Sequence, residues 1–453
     1  MLSKEVIEKY NVPSPRYTSY PTILDWNRMD FEIQEFQQEW QKEFHHLSES
    51  QAVSVYIHLP YCESLCTFCG CHKYITKNHA VESLYIDALI KEWQFYKKLN
   101  SNKAFRVAEL HLGGGTPTFF SVSALDRLLA VITENTAEQK NFSVEGHPNH
   151  TSEAQMSLFH QYGFKRISFG IQDYDATVQK SINRIQSYEQ VKYVTETARN
   201  IGFTAISHDL VFGLPFQTMA GLKETVEKTI SLKPDNISLY SYAHVPWVKG
   251  TGQRGFSEED IPKGTEKRAL YEMAKAALLN AGYLEIGMDH FGLPTEELAI
   301  AMKNNQLNRN FMGYTTAKSE RLIGLGASAI SEYQFGYAQN LKSIKDYLQA
   351  LDNNDLPVFK GHVHSIEDQI MKRHIKSLMC NFETVYCERS ILAKQEEQLK
   401  NDCKELVEDG ILAWEKNKLQ ITPEGKPFVR NVCMRLDPYN KQKALHNRFS
   451  QSV

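Results

Sequence analysis

What this chain of 453 residues lacks narrows its chemistry before any motif is read. No apolar run approaches the length of a bilayer-crossing helix, and the leading Met1-Leu-Ser-Lys-Glu-Val-Ile-Glu-Lys9 has no apolar signal core. Basic and acidic residues nearly balance, 51 Lys and Arg against 54 Asp and Glu, for a net charge of −3. With no long basic block, composition gives no reason to expect a nucleic-acid partner. No internal repeat stands out. Cysteine is sparse: four of the eight fall within ten positions, and Cys380, Cys387, Cys403 and Cys433 are scattered without ligand-like spacing. Those four read as packed or surface thiols, and the pattern predicts a reducing cytoplasm. The length suits two or three domains of ordinary globular composition.

The crowded cysteines organise the rest. Val53, Val55, Ile57 and Leu59 alternate as a β-strand that Pro60 ends. Cys62, Cys66, Cys69 and Cys71 follow, and then Val81, Leu84, Tyr85, Ala88, Leu89, Trp93 and Tyr96 mark an amphipathic helix. A C-x3-C-x2-C loop offers three thiolates from one short segment. An iron–sulfur cubane ordinarily takes four, so three leave one iron open. Structural zinc prefers two separated knuckles, and a disulfide framework suits secreted chains; both are weaker alternatives.

Strand, loop and helix then alternate to about residue 241, with further strands at Val107–Leu112, Asn141–Glu145, Arg166–Gln172, Phe203–Phe212 and Asn236–Ser241. Helical patterns over Ala124–Glu134 and Tyr188–Asn200 lie between them. That order predicts an α/β fold with a parallel sheet, open or closed into a complete or partial barrel. Polar groups cluster where these strands end: Gly113-Gly-Gly-Thr-Pro-Thr118, Glu145, Gln172-Asp173, His208-Asp209 and Tyr242-Ala243-His244. In parallel sheets such ends converge on one site. The triple glycine reads either as a tight turn or as backbone that a ligand approaches closely.

Three parts are expected: an N-terminal arm or lid over 1–50, a catalytic barrel with its extension over 51–365, and a mainly helical domain over 366–453. Pro13, Pro15 and Pro21 stiffen the arm around Arg16-Tyr17-Thr18-Ser19-Tyr20, which reads as a surface strap or as a lid offering Arg16 and two tyrosines to an anion. Glu266–Asn280 reads as a helix, Gly287–Phe291 as a buried turn or strand end, and Asn310–Thr316 and Gly324–Ser331 as glycine-rich loops. Helices over Ile366–Asn381 and Ile391–Asp409, a hairpin turning at Asn417-Lys418, and a helix over Glu424–Leu436 suggest a winged-helix-like module beside the barrel mouth.

Phe68 before the third cysteine makes Cys62–Cys69 resemble the radical S-adenosylmethionine (SAM) superfamily. More of the chain is similar to the oxygen-independent coproporphyrinogen III oxidases (dehydrogenases) of haem biosynthesis. The likeness runs through Pro15–Pro21, Cys62–Cys71, Gly113–Thr118, Ser168–Asp173, Asp209–Pro215, Tyr242–Pro246, Gly287–Phe291, Gly313–Thr316 and Ser377–Phe382. The resemblance implies a partial (β/α)6 radical SAM barrel. It assigns a [4Fe–4S] cluster to Cys62, Cys66 and Cys69, with Cys71 in the motif but not a ligand, and Cys71, Glu145 and Tyr56 in the catalytic centre. A first SAM on the open iron would meet Tyr56, Gly114, Glu145 and Ile330. A second would meet Phe68, Gly115, Thr116, Gln172, Arg184, Asp209 and Ala243, unless Asp209 serves as a buried partner of Arg184 or a backbone amide. One departure stands at Glu145-Gly146-His147-Pro148, where better-known members carry a carboxylate at the His147 position.

The implied reaction converts two propionates of coproporphyrinogen III to vinyl groups, giving protoporphyrinogen IX. Their β C–H bonds are unactivated, so a 5′-deoxyadenosyl radical abstracts hydrogen, and CO2 and one further electron leave. Arg16 and Arg184 are candidates for meeting negative charge. The implied partners are an electron donor such as flavodoxin or ferredoxin and an unidentified acceptor, with the chain a monomer. A related branch acts as a haem chaperone, a carrier and not a catalyst. It has an aromatic residue where this chain has Cys71 and lacks the Arg16-Tyr17 arm, so both features favour the enzyme.

Overall fold

The computed structural model describes residues 3–26, 32–45, 52–101, 103, 105–247, 252–317, 321–386, 396–440 and 449–452. Its central sheet runs parallel through Leu322–Leu325, Val53–Leu59, Val107–Gly114, Thr136–Gly146, Phe164–Gln172, Ala205–Phe212 and Asn236–Ser241, in that spatial order. The last six are each followed by helix: Val81–Leu99, Val122–Ile132, Glu153–Gln161, the pair Ala176–Ser181 and Tyr188–Ile201, Met219–Ser231, and Gly264–Asn280. Antiparallel strands extend both edges. Ile330–Glu332, Gly336–Asn340 and Val358–Val363 lie on one side, and His290–Gly292 and Leu284–Ile286 on the other. The two outermost strands do not pair with each other. The curved sheet is therefore a partial barrel of six β/α units.

The first strand is buried on both faces. Val53, Val55, Ile57 and Leu59 enter the main core, while Ser54 and His58 are also covered, as a central parallel strand requires. Helix starts are set locally. Ser121, Ser152, Ser187 and Thr218 accept hydrogen bonds from the amides of Ala124, Gln155, Gln190 and Gly221, each cap contributing about 1 kcal/mol. Leu125, Leu128, Leu129 and Ile132 then lay one apolar stripe on the sheet.

Two segments read as glycine-rich loops are strands. Leu322–Leu325 is the parallel strand beside Val53–Leu59, and Ile330–Glu332 turns back along it. Asn308–Asn310 and Gly313–Thr315 form a separate hairpin. These runs are too short for periodicity to register. At Gly324 an added Cβ would stand 2.4 Å from the Ile330 carbonyl oxygen, so glycine permits the close return. The Gly287–Phe291 segment spans the turn between Leu284–Ile286 and His290–Gly292.

The arm is partly helical, over Lys4–Tyr10 and Ile33–His45. Its proline-rich middle is extended but does not present its tyrosines. Tyr10, Tyr17 and Tyr20 are buried in a second core with Leu378, Leu406, Leu419, Val432 and Leu436. Tyr17 Oη donates to Asp437 at 3.0 Å, Arg430 Nη1 to the Ser14 carbonyl at 3.1 Å, and Asn431 Nδ2 to the Tyr10 carbonyl at 2.9 Å. The arm thus completes the C-terminal core. Around it stand Ile366–Asn381, Glu396–Glu408, Val429–Leu436 and a three-stranded sheet ordered Glu383–Val385, Lys418–Ile421, Leu412–Glu415. The strand Glu383–Val385 went unseen in the sequence. Residues 391–395 of the expected helix, and Cys387, lie outside the described residues.

Burial pushes the Asp437 carboxyl up to about 6, with the Tyr17 hydroxyl opposing. Tyr17→Phe is expected to cost about 1–2 kcal/mol, the price of a buried acceptor losing a donor. Because the acid is raised, it is ionised in the folded state only above about pH 6. The loss should be larger at pH 8 than at pH 5. Urea unfolding at both pH values checks this; equal losses would disprove it.

Candidate active site

Pro60 ends the first strand and opens the cysteine loop at the carboxyl end of the sheet. Thr116 Oγ1 donates to Cys62 Sγ at 3.2 Å, and Arg184 Nη1 reaches Cys66 Sγ at 3.5 Å. Lys73 Nζ donates to the carbonyls of Cys69 and Cys71 at 2.9 and 3.3 Å, clamping the loop's far side. The Cys71 hydrogen bond holds the Cys69 thiol below its usual range despite burial, and Lys73 and Arg184 add to this. Burial pushes Cys62 up to about 11, with Thr116 opposing.

These donors suit thiolate ligands, since hydrogen bonds and cations on sulfur favour the deprotonated form. Among the described residues no three His, Cys, Asp or Glu side chains close around one metal-ion position. A single zinc needs such convergence, whereas each thiolate on a cubane takes a different iron. Three thiolates from one loop, with donors on two of the sulfurs, are a ligand set that fits such a cluster.

The glycines beside the loop answer first to protein geometry. Gly114 has φ +112°, and a Cβ there would stand 2.7 Å from the His58 ring. A Cβ on Gly115 would lie 2.6 Å from the Pro60 carbonyl. Their amides are spent internally: Gly114 on Glu145 at 3.2 Å, Gly115 on the Leu59 carbonyl at 2.8 Å, and Thr116 on the Tyr61 carbonyl at 3.0 Å.

Two cavities meet at Gly70, Cys71, Lys73 and Glu145. The larger, about 670 Å³, is lined by Tyr56, Glu145 and Ile330 of the first expected group. The other, about 500 Å³, takes in Cys62, Cys66 and Cys69 together with Gly114. All seven of the second group line it as well: Phe68, Gly115, Thr116, Gln172, Arg184, Asp209 and Ala243. Arg16 reaches its edge, donating to the Ser241 carbonyl at 3.0 Å. So the arm contributes its arginine and buries its tyrosines.

One polar residue of each pair faces the site, by strand alternation at His208-Asp209 and by a bulge at the strand end at Gln172-Asp173. Asp209 lines the cavity, while His208 points outward to Thr195 Oγ1 at 2.9 Å. Gln172 lines it at a bulge with φ 68°, while Asp173 is a structural hub for Gln217, Thr225 and the Asp175 amide. The alternative in which Asp209 pairs with Arg184 is not taken up, the arginine acting on it only through space. The guanidinium turns to the Gly170 carbonyl at 2.6 Å, and Ser238 bonds Asp209. Sequence reasoning missed His111, whose Nε2 meets Glu145 Oε1 at 3.3 Å and whose Nδ1 meets Ser143 Oγ at 2.7 Å. It also missed His58, which bonds Tyr56 Oη at 2.9 Å. A signal was present, since Glu109 and His111 are polar at the period-2 spacing of one face. Burial works to raise Glu145, but His111 and the Gly114 amide outweigh it and keep the carboxylate ionised.

The radical SAM superfamily model matches residues 56–229. Oxygen-independent coproporphyrinogen III oxidase of Escherichia coli is 36% identical over 99% of this chain and 98% of its own length. The Helicobacter pylori protein of that name is 38% identical over 99% of both. This chain belongs to the oxygen-independent coproporphyrinogen III oxidases. A solved coproporphyrinogen III oxidase from Escherichia coli, described as a radical SAM enzyme, superposes with a TM-score of 0.89 at 34% identity, covering 97% of this chain and 99% of that one. The likeness to this oxidase family spans the arm and the C-terminal part as well as the barrel.

Within this coproporphyrinogen III oxidase fold, His147 lines the cysteine cavity as a neutral imidazole. Burial depresses it to about 2, with Arg184 and His150 adding to the effect. Asp209 goes the other way: burial lifts it to about 6, against the Ser238 hydrogen bond. From about pH 4 to 6 the folded chain then holds a proton that the unfolded chain has released, so stability falls as pH rises through that window. Asp209→Asn is expected to gain about 1 kcal/mol above pH 6, fading towards pH 4, while SAM binding is lost. Denaturation across that range, beside a SAM titration, reads both. A destabilised variant at pH 7 would contradict the assignment.

Proposed function

We propose that this chain decarboxylates two propionates of coproporphyrinogen III to vinyl groups, giving protoporphyrinogen IX without oxygen. The supporting observation is a three-cysteine loop with hydrogen-bond donors on its sulfurs, set where two cavities share the wall of Cys71, Lys73 and Glu145. Cys62, Cys66 and Cys69 would hold a [4Fe–4S] cluster. Tyr56, Gly114, Glu145 and Ile330 would hold one SAM, with the remaining cavity residues holding a second. When bound, cluster and SAM supply one-electron reduction and a hydrogen-abstracting adenosyl fragment.

The chain's own contribution is position and shelter. The ionised Glu145 offers an acceptor to an ammonium group, fixed by His111 and the Gly114 amide. Thr116 and Arg184 hold two sulfurs in place, and Lys73 keeps the end of the loop from swinging out. Tyr56, Phe311, Met312 and Ile330 give the larger cavity apolar wall that limits water. Three parts work together: the barrel carries the chemistry, and the arm and C-terminal unit close its edge through Arg16. A flavodoxin or ferredoxin supplies electrons to a monomer in the cytoplasm. Among the described residues no helix is long and apolar enough to cross a membrane.

The test is anaerobic incubation of the reconstituted protein with SAM, reductant and coproporphyrinogen III. Protoporphyrinogen IX and CO2 should appear as SAM is cleaved. Haem binding without CO2 release would make the chain a carrier instead.

A further inference from the structure

The larger cavity has a positively charged wall whose charge the proposed function does not use. Lys73 and Lys342 line it with His72 between their fields, and the imidazole is held neutral by burial first and then by both ammonium groups. Lys360 adds a third positive charge near Lys342, though its Nζ is spent on the Ile23 carbonyl. Among the described residues Lys73 is bonded only to the Cys69 and Cys71 carbonyls, and neither Lys73 nor Lys342 has a carboxylate partner. The one carboxylate lining this cavity, Glu145, is already held by His111 and Gly114. Two polar atoms on the same wall, His72 Nδ1 and Gln339 Oε1, are buried without a hydrogen-bond partner.

Like charges lining one cavity repel, and an anion entering between them turns that repulsion into attraction. The backbone holding Lys342 is tied to the cysteine loop. Tyr74 Oη donates to the Lys342 carbonyl at 3.2 Å and accepts from the Ile344 amide at 3.2 Å. Tyr74 itself pairs with Tyr61 in the short strand that carries Cys62. One phenol thus sets the spacing between the free ammonium and the reacting centre.

We propose that Lys342, seconded by Lys73, anchors a propionate carboxylate of the tetrapyrrole other than the one reacting, so that the larger cavity selects polycarboxylate substrates. This rests on the functional reading above. A ligand with esters or vinyl groups in place of carboxylates leaves the ammonium groups unmatched, which is how a polar site rejects an analogue.

The test uses the reconstituted full chain, with coproporphyrin III, the fluorescent oxidised form of the substrate, as probe and its tetramethyl ester as the uncharged control. Lys342→Met should weaken coproporphyrin III binding about three- to ten-fold, the loss of one charge-assisted contact. It should raise KM for coproporphyrinogen III by a similar factor, with a smaller change in kcat. Lys342→Arg should recover most of the binding, and the ester should bind wild type and Lys342→Met alike. The proposal is overturned by an unchanged Kd and KM in Lys342→Met, by an equal loss for the ester, or by a kcat loss at constant KM. Wild-type protein that binds coproporphyrin III yet never converts coproporphyrinogen III would overturn the functional reading and leave the anchor standing.

Discussion

Serine at Cys62, Cys66 or Cys69, one at a time, is expected to abolish both cluster iron and SAM cleavage, whereas Cys71→Ser keeps the iron. A cubane held as proposed, by three protein ligands, would not survive the loss of a second in solution. Cys71 stands differently. Its thiol is held protonated chiefly by its hydrogen bond to Cys69, with that neighbour's charge adding to this, and it is exposed where both cavities meet. Serine there preserves a donor, while Cys71→Ala removes it and should cost about 10- to 100-fold in turnover, the usual scale for a partner of a metal ligand. Iron and sulfide analysis after anaerobic reconstitution, with the cluster's spin resonance read with and without SAM, separates the cases. If Cys71→Ser lost its iron as fully as the other three, the three-ligand assignment would be wrong.

Gly115→Ala should be the most damaging single methyl in the site. Its Cβ would sit 2.6 Å from both the carbonyl carbon and oxygen of Pro60 and 2.9 Å from the Tyr61 oxygen. These are backbone atoms, unable to rotate aside, and the Gly115 amide is pinned to the Leu59 carbonyl. The strand end must shift, at about 1–3 kcal/mol for an overpacked site, and Pro60–Tyr61 lead directly into Cys62. Both stability and iron content should fall. Gly70→Ala is the internal control, because nothing lies within 4 Å of its Cβ position. Equal behaviour of the two variants in urea unfolding and iron uptake would show that the loop accommodates the methyl.

The candidate site was legible in the sequence to the extent that it is built from strand ends. Glu145 and Gln172 stand at the ends of their strands and Asp209 inside its strand, three residues before the end, and the topology brings all three to the cysteine cavity. The neighbours Asp173 and His208 looked equally eligible but face away: one residue along a strand reverses His208, and Asp173 stands just past its strand's end, turned to Gln217 and Thr225. Lys342 was invisible for another reason. It lies far along the chain, after the short strand Gly336–Asn340, and only the pairing of Leu322–Leu325 with the first strand folds that region over the cysteine loop. The arm shows the same limit. Its prolines announced an extended path, but nothing local indicated that Tyr17 would be captured by Asp437, 420 positions later.

Local chemistry alone therefore determined the alternating strands and helices, the three-thiolate loop and the family, since spacing and periodicity act over a few neighbouring residues. Tertiary structure decided which polar side chains share a cavity, that the arm's tyrosines are core and only its arginine reaches the site, and that unpaired lysines face the larger chamber. Those outcomes depend on contacts between segments hundreds of residues apart, set by the burial of whole faces, and no short window of sequence contains them.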